Sequence, residues 1–170
     1  MNNKTVGTAI PSVADASIII NSPLGNELTE EQCQTLTQSV RLFCLRDGDV
    51  LIEEGHKNDD LFIVVDGTLE VSKSVGGGEH ITLQLLRKGD MAGELGFIDE
   101  LPHTADLRAI GDCEVLALSR ADLEGFLTTD PEIVYRVMRA IIRTVHGILR
   151  RMNMQYVEMT NYISKTHGRY

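Results

Sequence analysis

The chain has 170 residues, 42% of them hydrophobic and 24% charged, with a formal net charge of −9. That length holds one domain with a proper core, while the acidic balance excludes the basic stripe of a nucleic-acid surface. The three cysteines, Cys33, Cys44 and Cys113, form no Cys-x-x-Cys pair, which excludes a zinc knuckle or iron–sulfur site and leaves small thiols of a reducing compartment.

Residues 1–24 mix Asn, Thr, Ser and Pro without periodicity and are expected to form a flexible tail, with a short ordered piece at 17–20. The segment is not a signal peptide, and no apolar run approaches bilayer length, so a cytoplasmic location without membrane contact is expected. A helix is predicted over 29–42, capped by Thr29 with Gln32 at the capping-box position and carrying Cys33, Leu36 and Val40 at helical spacing. From 42 to 118, short apolar segments alternate with the turns Asp47-Gly48-Asp49, Glu54-Gly55, Asp66-Gly67, Gly76-Gly77-Gly78 and Lys88-Gly89-Asp90. Turn signals at roughly ten-residue spacing predict an all-β sandwich or barrel. Asp66-Gly67 reads as a hairpin turn between strands at 61–65 and 69–71. The glycine triplet reads as a hairpin tip rather than a phosphate loop, because no helix or Lys-Ser/Thr pair follows it. His80, beside that tip, reads as solvated.

Ser119 caps a short predicted helix over 120–127, and Asp130-Pro131 opens a long helix to about 165. Val134, Met138, Ile141, Val145, Ile148, Met152, Gln155, Met159 and Tyr162 recur in steps of four and three, an a/d seam with only Gln155 polar. Val137, Ile142, Leu149, Tyr156 and Ile163 run beside it and are assigned to covering the β core. Two apolar stripes on one helix predict a parallel homodimer, although Gly147 weakens the helix by about 1 kcal/mol. A helix wrapped on a single core is the competing arrangement. Arg150-Arg151 reads as a solvated face. The division is therefore a tail at 1–24, a β domain at 25–128 and a dimerisation helix at 129–166.

The densest chemical signal is Gly89-Asp90-Met91-Ala92-Gly93-Glu94-Leu95-Gly96-Phe97, followed by Pro102-His103-Thr104-Ala105. A glycine-flanked turn offers backbone N–H groups to an anion, and Glu94 can accept a hydrogen bond from a hydroxyl. A phosphate and a sugar hydroxyl side by side describe a nucleotide. The sequence contains no nucleophile elbow, no His-Glu-x-x-His pair and no Walker motif, so no enzymatic activity, cofactor or metal is expected. Glu94, His103 and Asp106 have the right chemistry for a metal, but ligand type alone does not define a site.

With Gly-Asp-x-x-Gly-Glu-Leu at 89–95 and the turns quoted above, residues 28–162 resemble the cyclic-nucleotide-binding domain of the catabolite activator protein family. The resemblance implies a mainly β fold with flanking helices: a double-stranded β-helix, or jelly-roll-like β-roll, followed by a short and a long helix. It also implies that Gly93, Glu94 and Leu95 begin a phosphate-binding cassette, with backbone N–H groups on the cyclic phosphate and Glu94 on the ribose 2′-hydroxyl. Thr104 falls where the family often has a small hydroxyl or Ala. His103 falls where the family has a phosphate-neutralising Arg, which implies cAMP or cGMP binding weakened by about ten- to a hundredfold. Asp106 adds a nearby negative group, and Arg108 is a candidate replacement cation whose direction strand alternation leaves open. The family's transcription factors carry a helix-turn-helix beyond the long helix. Only residues 163–170 follow it here, so direct DNA binding is not expected. Two functions follow. One is a stand-alone sensor that binds cAMP or cGMP and signals through its C-terminal helix; the other is a ligand-silent dimeric scaffold with a degenerate pocket. Any role in transcription would have to act through a partner protein.

Overall fold

Strand alternation along Asp106–Ser119, here strand β7, sorts the core into two clusters. Leu107, Ala109, Cys113, Val115 and Ala117 point into a β-roll, where they meet Phe43, Leu51, Ile52, Phe62, Val64 and Leu69. Leu116 and Leu118 point the other way, onto a layer of helices. This is the period-two consequence of a sheet covered on both faces.

The computed structural model describes residues 8–10 and 15–167. The remaining strands are β1 (Thr8–Ile10), β2 (Val40–Leu45), β3 (Val50–Ile52), β4 (Asp60–Gly76), β5 (Glu79–Arg87) and β6 (Met91–Ala92). They form one seven-stranded sheet in the order β1-β2-β7-β4-β5, with β3 paired to β7 and β6 to β4. Every pairing is antiparallel. The helices are α1 (Ala16–Ile20), α2 (Glu30–Leu36), α3 (Glu94–Asp99), α4 (Arg120–Gly125) and α5 (Pro131–His167). The expected β-roll with a short and a long following helix is present.

Four sequence expectations need correction. Within the expected tail, 1–7 and 11–14 lie outside the described residues, while Thr8–Ile10 form β1 and α1 forms where an ordered piece was expected. Ile19 and Leu24 are fully buried in the helix-side cluster. The helix predicted over 29–42 starts as expected, with Thr29 and Gln32 closing a reciprocal capping box. It ends at Leu36, because Val40 onward is β-rich and pairs with β7.

Asp66-Gly67 is no hairpin turn. β4 runs straight through it as one strand of 17 residues, and its register against β7 shifts on both sides of Asp66. A Cβ at Gly67 would stand 2.4 Å from the Asp112 carbonyl oxygen, so the bulge needs glycine for close approach. The bulge also reverses the pleat: Phe62 and Val64 face the roll interior before it, and Leu69 and Val71 after it.

The fourth correction concerns α5. Ile133, Val137, Ala140 and Ile141 are buried against the roll, with Val134, Met138 and Val145 packed beside them. The proximal part of the expected dimer seam is thus the core-facing face. Ile142, Leu149 and Tyr156, assigned to the core, are instead exposed at 62%, 52% and 67%.

Candidate functional site

Strand β6 delivers the chain to Gly93, which caps α3 in the left-handed conformation with φ +80°. Any side chain there would meet the Asp60 carbonyl oxygen at 2.7 Å and the Phe62 ring at 3.2 Å. Both the conformation and the close approach therefore require glycine. The first amides of α3, from Glu94 to Gly96, have no acceptor one turn back within the helix, whereas Phe97 donates to the Gly93 carbonyl at 3.0 Å. Phe97 itself is buried in the helix-side cluster and fixes the helix on the sheet. At its far end Glu100 adopts φ 60°, its N–H on the Gly96 carbonyl, and its carboxylate pairs with Arg120 at 2.6 Å.

Within this turn, Gly96 marks the tightest contact. A Cβ on it would lie 2.6 Å from Cε1 and Nε2 of His103 and 2.9 Å from the Asn58 carbonyl oxygen. The His103 imidazole is thus laid directly on the first turn of α3, with Nε2 3.2 Å from the Asn58 oxygen. Its backbone is pinned as well: its N–H donates to the His56 carbonyl at 2.9 Å, and its own carbonyl accepts from Gly55 at 2.8 Å. Sequence reasoning placed Gly93, Glu94, Leu95 and His103 in one site, and the fold brings them together across α3.

Glu94 is half-buried, and loss of water pushes its carboxyl above the ordinary range, opposed by its own backbone N–H. A carboxylate short of water is a receptive acceptor for a hydroxyl. Leu95 is 55% exposed. Thr104 is exposed, and its carbonyl accepts a hydrogen bond from Lys73 Nζ at 2.7 Å. Lys73 also pairs with Glu54 at 2.8 Å.

The neighbouring charges take other positions than the sequence suggested. Asp106 is buried and accepts from the Glu54 N–H at 2.7 Å, and its second oxygen lies 3.6 Å from His80 Nδ1. His80 is therefore tied into a polar cluster rather than merely solvated. Arg108 turns to the Gly48 carbonyl at 2.7 Å and does not serve the cassette. Beneath the cassette, Arg41 pairs with buried Asp60 at 2.6 Å; burial still pushes that carboxyl up against the pull of the guanidinium. Among the described residues no group of three or more His, Cys, Asp and Glu is placed to hold a metal ion. No helix among them is long and apolar enough to cross a membrane. A cavity of about 320 Å³ lies between α5 and the β5–β6 edge, lined by Leu86, Asp90, Met91, Arg143, Gly147 and Arg151 among others. It borders the strand that enters the cassette but does not include Gly93, Glu94 or His103.

This cassette on this roll defines a class. A model of the cyclic nucleotide-binding domain matches residues 42–130. The chain belongs to that family. It is 28% identical over 118 residues to the cAMP-activated global transcriptional regulator CRP of Salmonella typhimurium, covering 68% of this chain and 56% of that protein. The chain thus spans about half the length of the curated relatives it matches. Its fold is similar to a cyclic nucleotide-binding domain from Methylobacillus flagellatus, with TM-score 0.78, 19% identity, and 85% and 83% of the two chains covered. It is also similar to the N-terminal domain of a transcriptional regulator from Streptomyces coelicolor, with TM-score 0.68, 29% identity, and 79% and 94% covered.

Proposed function

We propose that the protein is a regulatory module that binds cAMP or cGMP in its β-roll and signals through α5 as a homodimer. The observation that carries the first part is the close-packed Gly93–Gly96 turn with the half-buried carboxylate of Glu94 at its start. Backbone amides there suit a cyclic phosphate, and Glu94 suits a ribose hydroxyl, as the family and the cAMP-activated relative support. The His103 ring lies against Gly96 of the same turn.

The signalling part rests on shared packing. Phe97 of α3, Leu123 of α4 and Ile133, Val137 and Ile141 of α5 belong to one buried cluster. A cassette that tightens on a ligand moves its Phe97 against α5, provided the ligand binds two helix arrangements unequally.

The dimer rests on a seam different from the one expected. Tyr135, Met138, Ile142, Val145, Leu149, Met152, Tyr156 and Met159 recur in steps of three and four, with no polar interruption. All but Met138 and Val145 are exposed. Such a stripe is a coiled-coil seam in search of a partner, and a second copy supplies an identical one.

Calorimetric titration with cAMP and cGMP tests the ligand. Saturable binding of either supports the reading. No heat with either nucleotide overturns it and leaves a dimeric scaffold.

A further inference from the structure

We propose that Lys73 supplies the fixed positive charge for the ligand's phosphate, and that Glu54 holds this charge in the unliganded protein. The proposal rests on the cyclic-nucleotide reading above and names the cation that reading lacks.

The placement follows from the strand. Beyond the Asp66 bulge, Leu69 and Val71 of β4 face the roll interior, and their β7 partners Ala109 and Leu107 belong to the same interior cluster. The register of β4 against β7 is regular from Thr68 to Ser72. The irregularity beside it against β5 skips Leu83, on the other strand. Alternation therefore carries Lys73 onto the interior face with Leu69 and Val71. Lys73 is the first position along that face that is not apolar. Its ammonium sits 2.7 Å from the carbonyl of Thr104, one residue past the His103 ring on α3.

Three arginines near the cassette are committed elsewhere: Arg41 to Asp60, Arg108 to the Gly48 carbonyl, and Arg120 to Glu100 and Asp59. The anion on Lys73 is Glu54, whose other oxygen accepts from the Ser74 N–H at 3.2 Å. Lys73 holds Glu54 below the ordinary carboxylate range. Asp106 and His80 complete the cluster, with Asp106 already engaged by the Glu54 N–H. An ammonium carries three donors on a flexible stem. Thr104 and Glu54 engage two of its directions, and a phosphate oxygen would take the third or displace Glu54.

The test is calorimetric titration of wild type, Lys73→Met, Lys73→Arg, Glu54→Gln and His103→Arg with cAMP and cGMP, each variant first checked for a wild-type circular dichroism spectrum. Lys73→Met should weaken binding about ten- to a hundredfold, as for loss of a charge-assisted bond. Lys73→Arg should largely retain it. Glu54→Gln should tighten binding, because an intramolecular competitor is gone. A merely structural ion pair predicts the reverse for that variant, since breaking the pair from either side would then weaken binding. Lys73→Met binding like wild type, or Glu54→Gln binding more weakly, overturns the proposal. If wild type is silent but His103→Arg binds, the pocket stands and Lys73 is refuted. Silence of both refutes the cyclic-nucleotide reading itself.

Discussion

The cassette and the distal half of α5 carry opposite kinds of unspent chemistry. Around Gly93 and Gly96 the backbone is packed to contact, and two neighbouring side chains are tied down: His103 on the Asn58 carbonyl and Glu100 on Arg120. What remains costly there is charge, the carboxyl of Glu94 held where water is scarce. Beyond Val145, α5 has the reverse balance: its charge is solvated, and Leu149, Met152, Tyr156 and Met159 lie bare. One region carries a half-buried charge and the other bare apolar surface. Each cost is confined to a few residues of a fold whose two clusters are otherwise filled.

The largest effect that separates the regions is expected from Gly96→Val. Its side chain would drive into the His103 ring and the Asn58 carbonyl, costing roughly 1–3 kcal/mol and abolishing nucleotide binding. Dimer mass by sedimentation should stay unchanged. The converse variant, Leu149→Glu with Met152→Glu, should weaken dimerisation roughly a hundredfold or more, since two buried apolar side chains per helix are lost. Sedimentation equilibrium reads it, and nucleotide binding by the monomer should persist.

Glu94→Gln sharpens the comparison from inside the cassette. A raised carboxyl pKa disfavours the folded state above that pKa, and the penalty fades as pH falls through it. The variant should therefore melt higher than wild type at pH 7, and the gap should close in acid. A lower melting temperature at pH 7 would contradict the burial argument. The smallest effect concerns the thiols. Burial pushes Cys113 up to about 11 and also raises Cys33, so both should resist alkylation at pH 8 until the protein unfolds.

The cassette was legible because its determinants are local: a glycine that needs φ +80°, a carboxylate beside it and a histidine nine residues on all lie within one short segment. The stripes of α5 were not. Helical spacing reports that two apolar faces exist, while which of them meets the roll is decided by the approach of the sheet. Ile133 and Ala140 became core without belonging to either expected stripe. Asp66-Gly67 misled for a related reason. The same dipeptide serves a hairpin or a bulge, and the choice lay with β7, more than 40 residues away. Lys73 and Glu54 carried no signal at all, since they meet across 19 residues and Lys73 reaches Thr104 across 31.

The most direct test of the central claim compares cAMP with 2′-deoxy-cAMP by calorimetry on wild type and Glu94→Gln. Wild type should prefer the ribonucleotide about tenfold or more, the worth of a hydrogen bond to a charged group, and Glu94→Gln should reduce that preference sharply. Equal affinity of wild type for the two nucleotides would contradict the account.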